Sequence, residues 1–279
     1  MGIVECSLGG SFDVRISRLI SLWFDNRANE QLTLLLDKWL PKIPSCHWIA
    51  VLPQLAARLT LPAAKSQLFH PHFPALLLNL MEQCARQHPH HTLSVLLALV
   101  LTNKDKEYAA PTTTTTTTKG TRSVVDAHSE EDRVVVSKKL LAKLKKTPGP
   151  LGSLCRKMEL LNCQLIKLAN QPTSTEEGKT LPKNLTVPPE LAELKDCQDV
   201  AVPTVSLGVR SDGVYDRELV GIVRFESTFE LVGGVNAPKK LTCLCTDGVK
   251  RPMLLKGKVL LSLIHSFIKI EIINELKCK

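Results

Sequence analysis

The sequence predicts an α+β chain: a mostly α segment of helical-repeat, α-solenoid kind, followed by a small antiparallel β-rich lobe. Apolar residues recur three and four apart through residues 1–104, the period of a helix face. From about residue 199 short apolar runs are instead broken by Gly233-Gly234 and by Asp247-Gly248, the second a strong hairpin signal. Between these regions, Ala109 to Ser129 holds seven consecutive threonines, Thr112–Thr118, with no apolar periodicity to offset the entropy of ordering, and reads as a linker.

The helices follow from the pattern in order. Val14, Ile16, Leu19, Ile20 and Trp23 fit one helix face, and Leu32, Leu35, Leu36, Trp39 and Leu40 a second, before Pro41 and Pro44 punctuate the chain. A third helix starts near Ser45 with Trp48, Val51, Leu52, Leu55 and Leu59; Pro53 should fall in its first turns or kink it. A fourth starts at about Pro74 with Leu77, Leu78, Met81 and Cys84, and a fifth carries Leu93, Leu96, Leu97 and Val100. Short loops between such helices suggest stacked helical hairpins. His88-Pro89-His90-His91 invites a metal reading, but adjacent histidines ahead of a helix converge poorly on one point. His90, His91 and Thr92 are read as a helix N-terminus making local hydrogen bonds or packing, and no metal site is expected there or at His70 and His72.

After the threonine run, Asp132 to Lys146 carries Val135, Val136, Leu140, Leu141 and Leu144 among five lysines, an amphipathic helix with a solvated basic face, ended by Pro148-Gly149-Pro150. Leu151 to Asn170 supplies another, with Leu154, Met158, Leu161, Leu165 and Leu168 along one side. Gln171 to Pro189 is loop-like, and its Asn184-Leu185-Thr186 glycosylation match has no secretory signal beside it. Asp199 to Thr204 is expected to open the first strand and Leu219 to Phe225 to form the next. Phe229 to Val232, Leu241 to Thr246 and a strand leading to Lys256 complete the lobe.

Composition bounds the function classes. At 279 residues and 44% hydrophobic the chain can bury a core, and its net charge of +9 lies largely in lysine-rich helical and linker segments, so it reads as a solvated basic surface. Nine cysteines, an odd number in no regular framework, and no basic-apolar leader point to a reducing compartment. No apolar run reaches the roughly 18 to 20 residues that span a bilayer, so no membrane partner is expected.

A Gly-Gly turn between strands, followed by a lysine at the end of the next hairpin, offers backbone that can approach phosphates and a positive charge beside them. The wording around it is more specific. FELVGGVNAPK (229–239) is followed by CTDGVKRPMLLKG (245–257) and preceded by DVAVPTVSLGV (199–209) and YDRELVGIVRFEST (215–228). Together these closely resemble the start of the catalytic domain in phosphatidylinositol-3-kinase-related protein kinases of the ATM type. QLAARLT (54–60) and HPHHTLSVLLALVLTNKD (88–105) resemble the last helices of the FAT domain, the helical collar that precedes that kinase.

The resemblance implies a division into the C-terminal part of a FAT domain (1–106), a low-complexity linker (107–130), connecting helices and loop (131–190), a partial kinase small lobe (191–257) and a tail outside the family pattern (258–279). It implies that Leu231, Val232, Gly233, Gly234, Val235, Asn236 and Ala237 form the glycine-rich loop over the ATP phosphates, and that Lys256 contacts those phosphates. In the family the complete enzyme uses ATP with Mg or Mn, phosphorylates serine or threonine of protein substrates in the nuclear DNA double-strand-break response, meets DNA-break sensor proteins and often dimerises. Cys243 and Cys245 alternate onto one strand face and are read as packed thiols.

The family's Asp-Arg-His catalytic loop and Asp-Phe-Gly metal motif do not occur in these 279 residues, so no catalytic residue is assigned, no tightly bound cofactor is expected and the chain alone is expected to be inactive. The resemblance stops at Gly257, where the family continues with acidic residues and Leu-Arg-Gln-Asp. Gly257-Lys258 can be encoded by GGTAAG, which contains the usual start of an intron, so Lys258 to Lys279 is expected to be read-through or a gene-model error. A non-catalytic helical scaffold with a docking lobe, or a fragment of a related lipid kinase, are the alternatives.

Overall fold

The computed structural model describes residues 11–62, 68–102, 124–173, 181–194, 196–233 and 238–257. The expected α+β class is observed: helices come first and a five-stranded antiparallel sheet follows. The threonine run and the segment 258–279 lie outside the described residues. Two compact units divide the chain, one drawn from Met1–Val100, Lys119–Gly152 and Gly208–Glu218, the other from the remainder.

The helical unit starts with α1 (Ser11–Asp25) and α2 (Glu30–Trp39), followed by a 3-10 turn at Leu40–Lys42, a 3-10 segment at Ser45–Val51, α3 (Leu52–Ala56), α4 (Phe73–Gln87), α5 (Pro89–Leu101) and α6 (Val124–Lys145). Asn29 caps α2, its side chain accepting from the Leu32 amide at 3.0 Å, a contact whose loss costs about 1 kcal/mol. Trp23, Trp48, Phe73, Leu77, Met81 and Leu93 are fully buried, and Trp23 meets the Phe73 ring edge-on at 5.4 Å.

Three expectations for this unit are corrected. The helix from Ser45 is split, because Pro53 has no N–H to give and its ring excludes the carbonyl four residues back; the chain tightens into 3-10 turns and restarts at Leu52. On α2 the buried residues are Thr33 and Leu36, continued by Leu40 of the 3-10 turn, while Leu35 and Trp39 are 54% and 49% exposed. Thr33 can face inward because its hydroxyl donates to the Asn29 carbonyl at 2.8 Å and brings no unmet polarity into the core. And α6 begins at Val124, inside the stretch 107–130 expected to be linker. Val136, Leu140, Leu141 and Leu144 are buried as expected, whereas Val135 from the same set is exposed, and Lys143 reaches Glu82 at 2.6 Å.

Residues 208–218 pack on the junction of α4 and α5. Gly213, at φ +68°, lies so close that a Cβ there would be 2.6 Å from the Gln87 carbonyl oxygen. Tyr215 is the buried plug: its hydroxyl shares a 2.5 Å hydrogen bond with His88 Nδ1, and the His90 and His91 rings stand 5.9 and 5.3 Å from its ring. The histidines thus take the packing role, and no cluster of three or more metal-ligating side chains occurs among the described residues.

This junction carries a pH dependence. Burial, with His91 adding repulsion against a weaker pull from Asp212, pushes the His88 imidazole down to about 4. An unfolded histidine takes up its proton near 6.5, so as pH falls from there the unfolded chain binds a proton that the folded chain refuses, and stability is lost until about pH 4. Denaturant unfolding of the full chain, followed in peptides of α4 and α5, is expected to lose on the order of 2–3 kcal/mol across that window through this group. His88→Gln should remove that part of the slope; equal slopes in both proteins would contradict it.

The second unit contains α7 (Pro150–Ala169), β1 (Asn184–Thr186), α8 (Pro189–Ala192), β2 (Ile222–Phe225), β3 (Thr228–Leu231), β4 (Lys239–Cys245) and β5 (Lys250–Leu255). All five expected positions of the α7 stripe, Leu154, Met158, Leu161, Leu165 and Leu168, are buried. β4 is the central strand. β5 pairs with it from Lys239↔Leu255 to Leu244↔Lys250, and β3 and β2 pair with its beginning and end. Asp247-Gly248 makes the expected turn, with Gly248 at φ +77° and its amide donating to the Cys245 carbonyl.

The expected strand at Asp199 to Thr204 reduces to one bridge, Ala201↔Gly221, since Pro203 offers no donor to a ladder, and the next strand is shortened to Ile222–Phe225. The sheet takes its first strand instead from Asn184–Thr186, in the stretch read as loop, which pairs with β3.

Candidate phosphate-binding site

The site is built on the hairpin between β3 and β4 and on the end of β5. The loop leaves β3 after Leu231 and is closed at its base by the Val232 amide donating to the Pro238 carbonyl at 2.8 Å. Leu231 and Val232 are half-buried and Gly233 is exposed; a Cβ on Gly233 would meet nothing within 4 Å, so there is open space over this part of the loop. Gly234, Val235, Asn236 and Ala237 lie outside the described residues.

Register supplies what spacing alone could not. Lys239 pairs with Leu255, so the next step of the antiparallel ladder sets Lys256 level with Pro238, where the loop re-enters the sheet. Alternation along β4 buries Lys239, Leu241, Cys243 and Cys245 on one face and leaves Lys240, Thr242 and Leu244 half-buried on the other. Leu254 pairs with Lys240, so Lys256, two residues on, belongs to that second face. Glu230 is there too, paired to Lys183 at 2.8 Å and to Lys240 at 3.4 Å, and the Lys183 hydrogen bond leads in holding its carboxyl below the usual range. Lys183, Lys240 and Glu230 thus form an ion-paired cluster on the face to which Lys256 belongs.

On the buried face, Cys243 and Cys245 bring their sulfurs to 3.7 Å as packed thiols, and burial pushes the Cys243 thiol up to about 12. Lys239 is the exception among the buried side chains. It is 3% exposed, and its Nζ donates to the Ala169 carbonyl at 2.7 Å and the Gln171 carbonyl at 2.9 Å, at the C-terminal end of α7. Those carbonyls have no partner inside the helix, and the negative end of the helix dipole favours a cation. Burial pushes the ammonium down to about 8. Gly257 meets the same helix end: a Cβ there would fall 2.3 Å from the Ala169 carbonyl oxygen.

No protein-family model matches the chain. Relatives do: the serine-protein kinase ATM of Sus scrofa is 32% identical over 260 residues, covering 91% of this chain and 8% of that protein. This chain is a segment of the ATM type. The serine/threonine-protein kinase ATM of Drosophila melanogaster is 27% identical over 256 residues and tel1 of Schizosaccharomyces pombe 29% identical over 247. The chain spans about 8% of the length of each of these three relatives. Among solved structures, the FAT and kinase domain of CtTel1 superposes with a TM-score of 0.66 at 19% identity, over 89% of this chain and 15% of that one. A complete CtTel1 dimer with C2 symmetry gives the same TM-score over 8% of its chain. For an ATM-type segment, the fold therefore agrees with a FAT region leading into a kinase lobe.

Within this segment Leu231 and Leu255 flank Lys239 on either side of β4, so Leu231, Val232, Gly233 and Lys256 from the expected set lie at one end of the sheet. Sequence reasoning missed Lys239 as a member of the site. The signal was present: it occupies the inward phase of a strand whose next inward residues are Leu241, Cys243 and Cys245.

Proposed function

We propose that this chain is part of a nuclear serine/threonine-protein kinase of the DNA double-strand-break response, comprising the end of its FAT region and the phosphate-binding part of its small lobe. The observation that supports this best is the β4–β5 register, which carries Lys256 toward the exit of the glycine-bearing loop, on the face shared by Lys183, Lys240 and Glu230. In the complete enzyme, Leu231 to Ala237 would cover the ATP phosphates, with ATP bound together with Mg or Mn, and Lys256 would hold the phosphates in place. Phosphoryl transfer depends on positioning and on neutralising charge, and it also needs metal ligands and a group that orients the attacking hydroxyl. Neither the Asp-Arg-His loop nor the Asp-Phe-Gly motif is among these 279 residues, so the chain carries the cradle without the transfer machinery. Protein substrates, DNA-break sensors and dimerisation would belong to the longer protein.

Purified chain is expected to bind a fluorescent ATP analogue weakly but saturably, in the millimolar range. With ATP, Mg²⁺ or Mn²⁺ and a serine-containing peptide it should transfer no phosphate above a buffer blank. Turnover that copurifies with the chain would overturn the inactive-fragment reading, and absence of saturable binding would overturn the nucleotide site.

A further inference from the structure

We infer that the C-terminal end of α7 is the mount on which the start of β4 and the strand end carrying Lys256 are held, and that Lys239 is the positioning residue that fastens them to it. Two independent observations converge on one carbonyl. Lys239, the first residue of β4, donates to the Ala169 and Gln171 carbonyls. Gly257, the residue after Lys256, runs so close to the Ala169 carbonyl that any side chain would collide with backbone. The helix end therefore touches the loop's exit from one side and the residue following Lys256 from the other, while the Lys239↔Leu255 pair ties the two together.

The chemistry explains why a lysine does this. The last carbonyls of α7 must find donors or water, and an apolar residue at 239 would leave the buried Ala169 carbonyl unmet and take a donor from Gln171 just beyond the helix. A long side chain with three donors can reach both from a face whose other residues, Leu241 and Leu255 among them, are buried and apolar. Its charge is spent on the helix, and it faces away from the side that carries Lys256. Lys239 consequently acts through the geometry of the loop and of Lys256, with no phosphate contact of its own.

That the mount serves nucleotide rests on the ATP reading above, and the test separates the two. Hydrogen exchange of the full chain is compared for wild type, Lys239→Met, Lys239→Arg and Gly257→Ala, together with titration of the fluorescent ATP analogue. Lys239→Met is expected to speed exchange at least tenfold at Val232 and in residues 253–257 while leaving residues 222–225 unchanged, and Lys239→Arg to retain most of the protection. Gly257→Ala, which leaves Lys239 in place, should loosen residues 253–257 alone and weaken the analogue about tenfold. Unchanged exchange in both Lys239→Met and Gly257→Ala overturns the mount, as does loosening that is uniform across the sheet in both. If Lys239→Met does not fold, Gly257→Ala decides alone: unchanged exchange in residues 253–257 overturns the mount, and loosening confined to them upholds it. Local loosening in a chain that binds no analogue upholds the mount and sinks the ATP reading.

Discussion

Lys256→Met is expected to weaken binding of the ATP analogue between tenfold and a hundredfold while leaving the fold intact. Lys256 is half-buried just past β5, on the face opposite to the buried Lys239, Leu241, Cys243 and Cys245, so methionine keeps the stem's packing and removes only the charge. A charge-assisted contact to phosphate is worth about 1.5–3 kcal/mol, which is that range of affinity. Lys250→Met is the control, since Lys250 stands at the far end of β5 and is paired with Glu226 at 2.8 Å. Fluorescence titration reads the affinity, and circular dichroism checks the fold. Equal binding by wild type and Lys256→Met would remove Lys256 from the site, whereas equal loss in both variants would reduce the effect to net charge.

Gly221→Ala is expected to destabilise the sheet by on the order of 3 kcal/mol, the upper part of the range for forced overpacking. A Cβ at this position would stand 1.8 Å from the Gln198 carbonyl oxygen and 2.5 Å from its carbon, and both are backbone atoms that no rotamer change can move. The same residue accepts from the Thr246 amide and donates to the Thr246 hydroxyl, each at 3.0 Å, so displacing it also loosens the turn that joins β4 to β5. Gly233→Ala tests the reasoning from the other side. It meets open space and should change stability by less than about 0.5 kcal/mol. Urea unfolding monitored by exchange in residues 239–255 measures both; a Gly221→Ala midpoint equal to wild type would show that the segment around Gln198 yields freely.

Much of this molecule was legible before any coordinates. The α7 stripe, the Asp247-Gly248 turn and the inward phase of Leu241, Cys243 and Cys245 are written in near-neighbour periodicity, because a helix or strand exposes its faces at a fixed spacing whatever it packs against. Pro53 announced the break before α3 for an equally local reason. The candidate loop and Lys256 were found through the wording of residues 229–257, and their spatial meeting waited for the register, since spacing along a hairpin does not say which residues lie level. Residues 234–237 were named from that wording as well and lie outside the described residues.

What the sequence by itself determined is the class of fold, helices first and a small antiparallel sheet after, and where a candidate phosphate loop would fall. The tertiary structure alone decided three things. It turned α2 so that Thr33 faces inward, a choice open only because Asn29 offers its carbonyl. It recruited Asn184–Thr186 as a strand, three residues being too few to show a period until β3 supplies the partner. And it buried Lys239, whose charge argues for the surface and whose phase argues for the core. That conflict is resolved by carbonyls at the end of a helix some 70 residues earlier in the chain. Local patterns record which face of an element is apolar, whereas the partner of an unmet polar group is chosen by whatever distant segment the fold brings within hydrogen-bond reach.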